Sequence, residues 1–182
     1  MSISLRLNIS PDFFTLLNII FGIMAGFAVT WLNVWLVLLF VVLRLAAANL
    51  DGALARAKVV LTKTSVSKSG FAKNEIGDRL ADFGMLSGLL FLSDPKQAAT
   101  VALMVIVAAT PTLVSLIAVR RGIKRINGGP LGKTERCLAV VIIVGLANIT
   151  GEIQQCVYVG SVVILLGSLV TAWMRYLKMV RS

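Results

Sequence analysis

Long apolar stretches, each close to twenty residues, are the feature that most limits how this chain can fold. Six of them occur in the sequence, at 13–31, 33–50, 76–93, 97–119, 137–150 and 156–174. A helix of ~20 apolar residues spans the hydrocarbon core of a bilayer. With 58% hydrophobic and 14% charged residues, the chain has more apolar surface than a soluble domain of this length can bury. We therefore predict an all-α integral membrane protein with six transmembrane helices, built as a single domain over residues 1–182.

Basic residues alternate between the predicted loops. The loops after the second and fourth stretches and the C-terminal tail are rich in lysine and arginine, whereas Lys96 is the one basic residue of the other loops. By the positive-inside rule, both termini face the cytosol, and residues 1–12 form a short cytosolic lead. The net charge of +10 then follows from topology and from attraction to anionic membrane lipids. No nucleic-acid partner is expected, because aromatic residues are not interleaved with the basic ones.

Three aspartates adjoin apolar stretches in a chain with only eight acidic residues. Asp51 follows the second stretch, and Asp78 and Asp82 lie four residues apart, on one face of a helix that opens the third. A charge at the bilayer centre costs roughly 2.5–3.5 kcal/mol, so a compensating cation is expected. The chain has no histidine, and oxygen ligands suit Mg²⁺ or Mn²⁺. We predict a site for one of these metals at the three aspartates, with an amide oxygen from Asn74 or Asn49.

A glycine and an arginine lie beside Asp51. Gly52 allows the backbone to approach a ligand closely, and Arg56 is placed to bind a phosphate in bidentate fashion. Together with the carboxylates, they indicate a metal-bound pyrophosphate site near the cytosolic boundary of the membrane. Ion pairing along the helix, as between Glu75 and Arg79, is the alternative, but it leaves the aspartates without enough cations.

The run Asp51-Gly52-Ala53-Leu54-Ala55-Arg56 with the later aspartates resembles the CDP-alcohol phosphotransferases, membrane enzymes of phospholipid synthesis. Their pattern is Asp-xx-Asp-Gly-xx-Ala-Arg, followed by Gly-xxx-Asp-xxx-Asp. Residues 11–22, which contain Thr-Leu-Leu-Asn, and residues 129–134 (Gly-Pro-Leu-Gly-Lys-Thr) resemble two further segments of the family. The resemblance therefore covers nearly the whole chain.

The chain departs from the family pattern in its acidic residues. Ala48 replaces the first aspartate, and the gap to the family glycine is longer than usual. In one register Gly70 is that glycine, Asn74 replaces the third aspartate and Asp78 is the fourth. In the other register Asn74 occupies the glycine position, and Asp78 and Asp82 are the third and fourth aspartates. Both registers are open on the sequence.

The resemblance implies transfer of a phosphatidyl group from a CDP-lipid, such as CDP-diacylglycerol, to a small alcohol acceptor with release of CMP. One carboxylate would take the acceptor's proton; Asp82, the deepest acid, is the first choice and Asp78 the second. The candidates for binding the nucleotide and its phosphates are Gly52, Ala55, Arg56 and Gly70. The candidates for binding a phosphate on the acceptor are Arg120, Arg121, Lys133 and Arg136. Serine, glycerol 3-phosphate and an inositol phosphate are all open as acceptors.

Two other functions and one question of assembly are left open. A cation transporter would also place acids in the membrane, although usually near the midplane on several helices. A non-catalytic member of the family is the other alternative, supported by Ala48. Small-residue pairs in the first and third stretches, Gly22 with Gly26 and Gly84 with Gly88, permit close helix contact within a subunit or between the subunits of a homodimer.

The alternation of basic loops generates a prediction about topology. Single cysteines introduced near residue 94 and near residue 128 should react with membrane-impermeant reagents from opposite faces of the membrane, because the two loops lie on opposite sides in a six-span arrangement. Labelling of both sites from the same face would contradict this topology.

Overall fold

The computed structural model describes residues 10–62 and 68–181, and within these ranges every regular element is a helix. The predicted N-terminal lead therefore lies mostly outside the described residues. The helices are α1 (Pro11–Thr30), α2 (Val34–Thr62), α3 (Lys68–Leu92), α4 (Ala98–Val107), α5 (Thr110–Arg120), α6 (Lys133–Thr150) and α7 (Ile153–Val180).

Four segments of the described part are long and apolar enough to cross a membrane. They are α1, residues Val34–Ala57 of α2, residues Ala98–Arg120 and α7. The third of these joins α4 to α5, which are separate helices because Pro111 has no N–H to continue the backbone hydrogen bonds. The all-helical architecture of a membrane protein agrees with the sequence. Helices α3 and α6 carry more charge, and their spanning of the membrane stays a prediction.

Helix α1 packs against both of the helices that carry the aspartates, α2 and α3. Helices α2 and α3 touch each other little, and each packs mainly against α1. The close approach of α1 to α3 depends on glycine. A methyl group on Gly22 would lie 2.5 Å from the carbonyl oxygen of Ala81, and one on Gly26 would collide with the carbonyl oxygen of Gly84.

The glycine pairs of the first and third apolar stretches are therefore used inside one chain. Gly88 faces the backbone of Gly26 in the same contact. An apolar core lies on the side of this contact away from the aspartates, and includes Val29, Leu89 and Val144. The α1–α3 contact thus sets where the polar residues of both helices meet.

We predict that Gly26→Ala destabilises the fold by about 1–3 kcal/mol, because the added methyl group overpacks a backbone contact. Gly145→Ala is the matched control: its methyl group would meet only Val34 Cγ2, at 3.9 Å, and alanine favours the helix by up to ~1 kcal/mol. Thermal unfolding of the detergent-solubilised protein measures both. Equal midpoints for the two variants would contradict the packing described here.

Candidate active site

Asp51 of α2 and Asp78 of α3 are both held by hydrogen bonds from α1. Thr15 donates from Oγ1 to Asp51 Oδ2, and Asn18 donates from Nδ2 to Asp78 Oδ1 over 2.9 Å. Thr15 and Asn18 are three residues apart, so they lie on one face of the helix. Both carboxylates are buried and accept hydrogen bonds from side chains one turn apart on α1. Helix α1 therefore brings together two of the three predicted aspartates.

Asp78 also contacts the start of α6. Lys133 donates from Nζ to Asp78 Oδ1 over 2.6 Å. Oδ1 thus accepts two hydrogen bonds, from Asn18 and from Lys133, whereas Oδ2 accepts none from the described residues. Because two donors occupy the first oxygen, the second is the one available to a ligand or a proton.

Asp82 lies one turn further along α3 and is surrounded by three arginines. Arg44 binds its Oδ1, and Arg79 Nη1 and Arg136 Nη2 each lie 2.6 Å from its Oδ2. Arg44 is 0% exposed and Arg136 is 1% exposed. Both oxygens of Asp82 are therefore engaged by guanidinium groups. We call Asp82 and these three arginines the arginine cluster. Because guanidinium groups bind both Asp82 oxygens, this arrangement does not favour the metal-ligand and general-base roles predicted for Asp82.

The donor atoms at Asp51 and Asp78 fit one hard divalent cation. Each carboxylate has an oxygen that accepts no hydrogen bond from the described residues, and carboxylate oxygens suit Mg²⁺ and Mn²⁺. No group of three or more acidic, histidine or cysteine side chains is arranged around a common point in the described ranges. The three-carboxylate metal site stays a prediction, of which the structure holds Asp51 and Asp78 against α1, with Asn74 half-buried on α3 and Asn49 exposed on α2.

A basic cavity of about 140 Å³ opens beside Asp78, well above the ~10–15 Å³ minimum for a water molecule. Asp78 is the one acid among its described lining residues, and five side chains are cationic: Arg79, Arg125, Lys133, Arg136 and Arg175. The Nε of Arg79 and the Nε of Arg136 are buried with no hydrogen-bond partner in the described part of the chain. Unpaired buried donors and an excess of positive charge fit an anionic ligand.

The loop between α5 and α6 forms one wall of the cavity and is tied to α7. Arg175 donates from Nε to Gly128 O over 2.9 Å and from Nη1 to Pro111 O over 2.9 Å. Thr171 accepts a hydrogen bond from Leu131 N over 2.9 Å. Gly129 lies against Thr171 with φ of +112°, a conformation that side-chain-bearing residues rarely adopt. The loop is thereby held where α6 begins, at Lys133.

The other predicted site residues are spread around this centre. Arg120 and Arg121 are exposed and do not line the basic cavity, so the structure does not support them as acceptor ligands. Arg56 is exposed and Ala55 half-buried on α2. Gly52 leaves room for Arg56, whose Nη1 would lie 3.2 Å from an added methyl group. Gly70 lies within α3, but its surroundings fall outside the described residues.

Several arginines that the fold brings together were not among the site residues predicted from the sequence. Arg44 had a visible signal, since it is a lone charge in the middle of the second apolar stretch, and a charge at that depth requires a partner. No sequence signal sets Arg125 and Arg175 apart, because basic residues are expected throughout cytosolic segments. Arg79 was assigned to ion pairing, and the structure gives it that role with Asp82 as well as a place in the cavity wall.

A family model and two solved structures match this chain. The CDP-alcohol phosphatidyltransferase model matches residues 8–174. A Mycobacterium tuberculosis phosphatidylinositol phosphate synthase with CDP-DAG bound is 20% identical, with a TM-score of 0.72 over 97% of this chain and 89% of that one. The same synthase in complex with manganese and citrate is 21% identical, with a TM-score of 0.72 over 98% of this chain and 86% of that one. A search of curated protein sequences finds no match.

The chain therefore belongs to the CDP-alcohol phosphatidyltransferase family. It is an enzyme of phospholipid synthesis that transfers a phosphatidyl group from a CDP-lipid. The two solved structures, at about one-fifth identity, show that the fold is shared. Family membership sets aside the cation transporter that the sequence had left open.

Proposed function

We propose that this enzyme transfers the phosphatidyl group of CDP-diacylglycerol to a hydroxyl of a small alcohol that carries a phosphate, releasing CMP. The observation that carries the acceptor class is the basic cavity, whose five cationic side chains adjoin Asp78. Three carboxylates, those of Glu75, Asp78 and Asp82, pair with four of these cations, so positive charge is left over. An acceptor without a phosphate would leave this excess charge and the unpaired donors of Arg79 and Arg136 unsatisfied. The solved synthase with CDP-DAG bound supports the choice of donor.

The CDP moiety would lie at the α2 side of the site. Gly52 and Ala55 are small, and the guanidinium group of Arg56 lies over Gly52, where it is placed to bind a phosphate. Gly70 is proposed for the same role from α3. Asp51 and Asp78 would hold one Mg²⁺ or Mn²⁺ ion, with the amide oxygen of Asn74 as a third ligand. When bound, such an ion neutralises pyrophosphate charge and the charge that develops on the leaving group.

The chain's own residues orient the acceptor and receive its proton. Arg136, Arg79 and Lys133 would bind the acceptor phosphate and direct its hydroxyl towards Asp78. The hydroxyl oxygen attacks the phosphorus next to the lipid, the bond from that phosphorus to the CMP oxygen breaks, and the proton passes to the lone pair of Asp78 Oδ2 that would not face the ion. Oδ2 is the atom assigned because donors already occupy Oδ1. This favours the register in which Gly70, Asn74 and Asp78 occupy the family positions.

The wider arrangement is proposed from the sequence pattern. Residues 1–182 would form one domain of six spans with both termini and the active site facing the cytosol, in the cell membrane of a bacterium or its equivalent. Charged loops and the basic cavity would then lie on the side where CDP-linked donors and phosphorylated acceptors are dissolved or presented. A homodimer stays a prediction, because the glycine pairs that suggested it contact each other within one chain.

Removal of divalent metal should abolish turnover. In excess EDTA, CMP release from CDP-diacylglycerol should fall to background, because the pyrophosphate charge is no longer neutralised, and added Mg²⁺ or Mn²⁺ should restore it. Full activity in excess EDTA would contradict a metal site at Asp51 and Asp78.

The acceptor class can be tested by comparing serine, glycerol 3-phosphate and an inositol phosphate in the same CMP-release assay. Turnover should require one of the phosphorylated acceptors. Arg125→Ala should raise the KM of that acceptor roughly 10- to 150-fold, because a lost hydrogen bond to a charged group is worth ~1.5–3 kcal/mol. Arg125 also pairs with the buried Glu75, so thermal unfolding has to show that the variant is folded. Lys124→Ala is the matched control, since Lys124 is exposed on the same loop and does not line the cavity. Turnover with serine alone would contradict the proposed acceptor.

A further inference from the structure

We propose that Asn18, Arg44 and Asp82 form a positioning network that orients Asp78, with Asp82 acting as the counter-ion of Arg44. The inference rests on the proposed function, in which Asp78 receives the acceptor's proton. None of the three network residues touches the reacting atoms in this account. Each acts through the next, and the end of the chain is Asp78 Oδ1.

The contacts form a continuous path through buried side chains. Asp82 Oδ1 binds Arg44, Arg44 donates from Nε to Asn18 Oδ1 over 3.3 Å, and Asn18 donates from Nδ2 to Asp78 Oδ1 over 2.9 Å. Asn18 and Arg44 are both 0% exposed. Water cannot replace a contact at this depth, so removal of one member leaves its neighbour unsatisfied.

The chemistry of arginine gives this path a single direction. A guanidinium group donates hydrogen bonds and accepts none. The oxygen of the Asn18 amide must therefore face Arg44, and its NH₂ group must face Asp78. The Oδ1 of Asp78 is then an acceptor in both of its contacts, with Asn18 and with Lys133. Two donors on Oδ1 fix the orientation of the Asp78 carboxylate, so the network leaves Oδ2 as the oxygen that can face the acceptor.

Asp82 holds Arg44 in the orientation that this path requires. The other partners of the Arg44 guanidinium among the described residues are weak or long: Met85 Sδ at 3.5 Å, Cys137 Sγ at 3.4 Å and the carbonyl oxygen of Asp78 at 3.5 Å. Sulfur is a poor acceptor, and Asp82 is the carboxylate that pairs with Arg44 in the described residues. Loss of this ion pair would free the guanidinium group to rotate away from Asn18.

The test compares variants that interrupt the path at different points. Asn18→Leu removes both amide contacts at similar volume, and Arg44→Lys keeps a cation against Asp82 but replaces the branched guanidinium group. Each should lower kcat at least tenfold, with the KM of CDP-diacylglycerol and of the acceptor changed less than threefold. The double variant should be no slower than Asn18→Leu, because both changes interrupt one path. Asn148→Leu is the control, since Asn148 donates to Leu32 O and Val144 O instead.

Asp82→Asn separates positioning from base catalysis. An asparagine retains an acceptor for Arg44, so activity should fall less than one-hundredfold, whereas loss of a general base costs ~10²–10⁴-fold. Thermal unfolding of each variant shows which ones are folded. Wild-type kcat in folded Asn18→Leu and Arg44→Lys overturns the network, even where Asp82→Asn does not fold. Wild-type turnover with a phosphorylated acceptor, measured in the same assay, tests the proposed function separately.

Discussion

Neutralisation of buried charge is the constraint on which the rest of this structure depends. Asp82 and Arg44 lie among apolar helices, where an unpaired ion would be severely destabilising. The pairing joins α2, α3 and α6, since Arg44, Asp82 and Arg136 come one from each. Apolar side chains alone would let these helices pack in several relative positions, and the ion pairs select one of them. The same position brings Asp78 and Lys133 together.

The arginine cluster carries more positive charge than the carboxylate of Asp82 neutralises. This excess positive charge links the stability of the fold to the proposed function. One carboxylate faces three guanidinium groups, and two of these, from Arg79 and Arg136, also line the basic cavity. The positive charge of Arg79 and Arg136 is therefore only partly neutralised by carboxylates of the protein. Under the proposed function, a phosphate in the cavity would complete the neutralisation, and the ion cluster and the acceptor site would share Arg79 and Arg136. Arg175, which donates to the carbonyl oxygens of Gly128 in the loop and Pro111 in α5, adds positive charge to the same cavity.

Helix α1 has a comparable double role. Its glycines let it approach α3 at backbone distance, and this closeness allows the short side chains of Thr15 and Asn18 to reach the carboxylates of Asp51 and Asp78. A larger residue in place of Gly22 or Gly26 would move the helix and lengthen those hydrogen bonds. Helix packing and carboxylate orientation are thus consequences of the same contact.

The sequence by itself determined the helical class and the family, and it predicted Asp51 and Asp78 as site residues; the fold holds both of them against α1. These conclusions follow from local features of the sequence, namely the length of the apolar stretches, the spacing of residues along one helix face, and the motif around Gly52. Only the tertiary structure decided the surroundings of Asp82 and which basic residues meet in a cavity. Arg44 and Arg136 are ninety-two residues apart in sequence, so no spacing rule predicts that they share a carboxylate. Nothing in the sequence distinguishes Arg121 from Arg125, because both lie in the same basic loop. Only the path of that loop places Arg125 in the cavity wall.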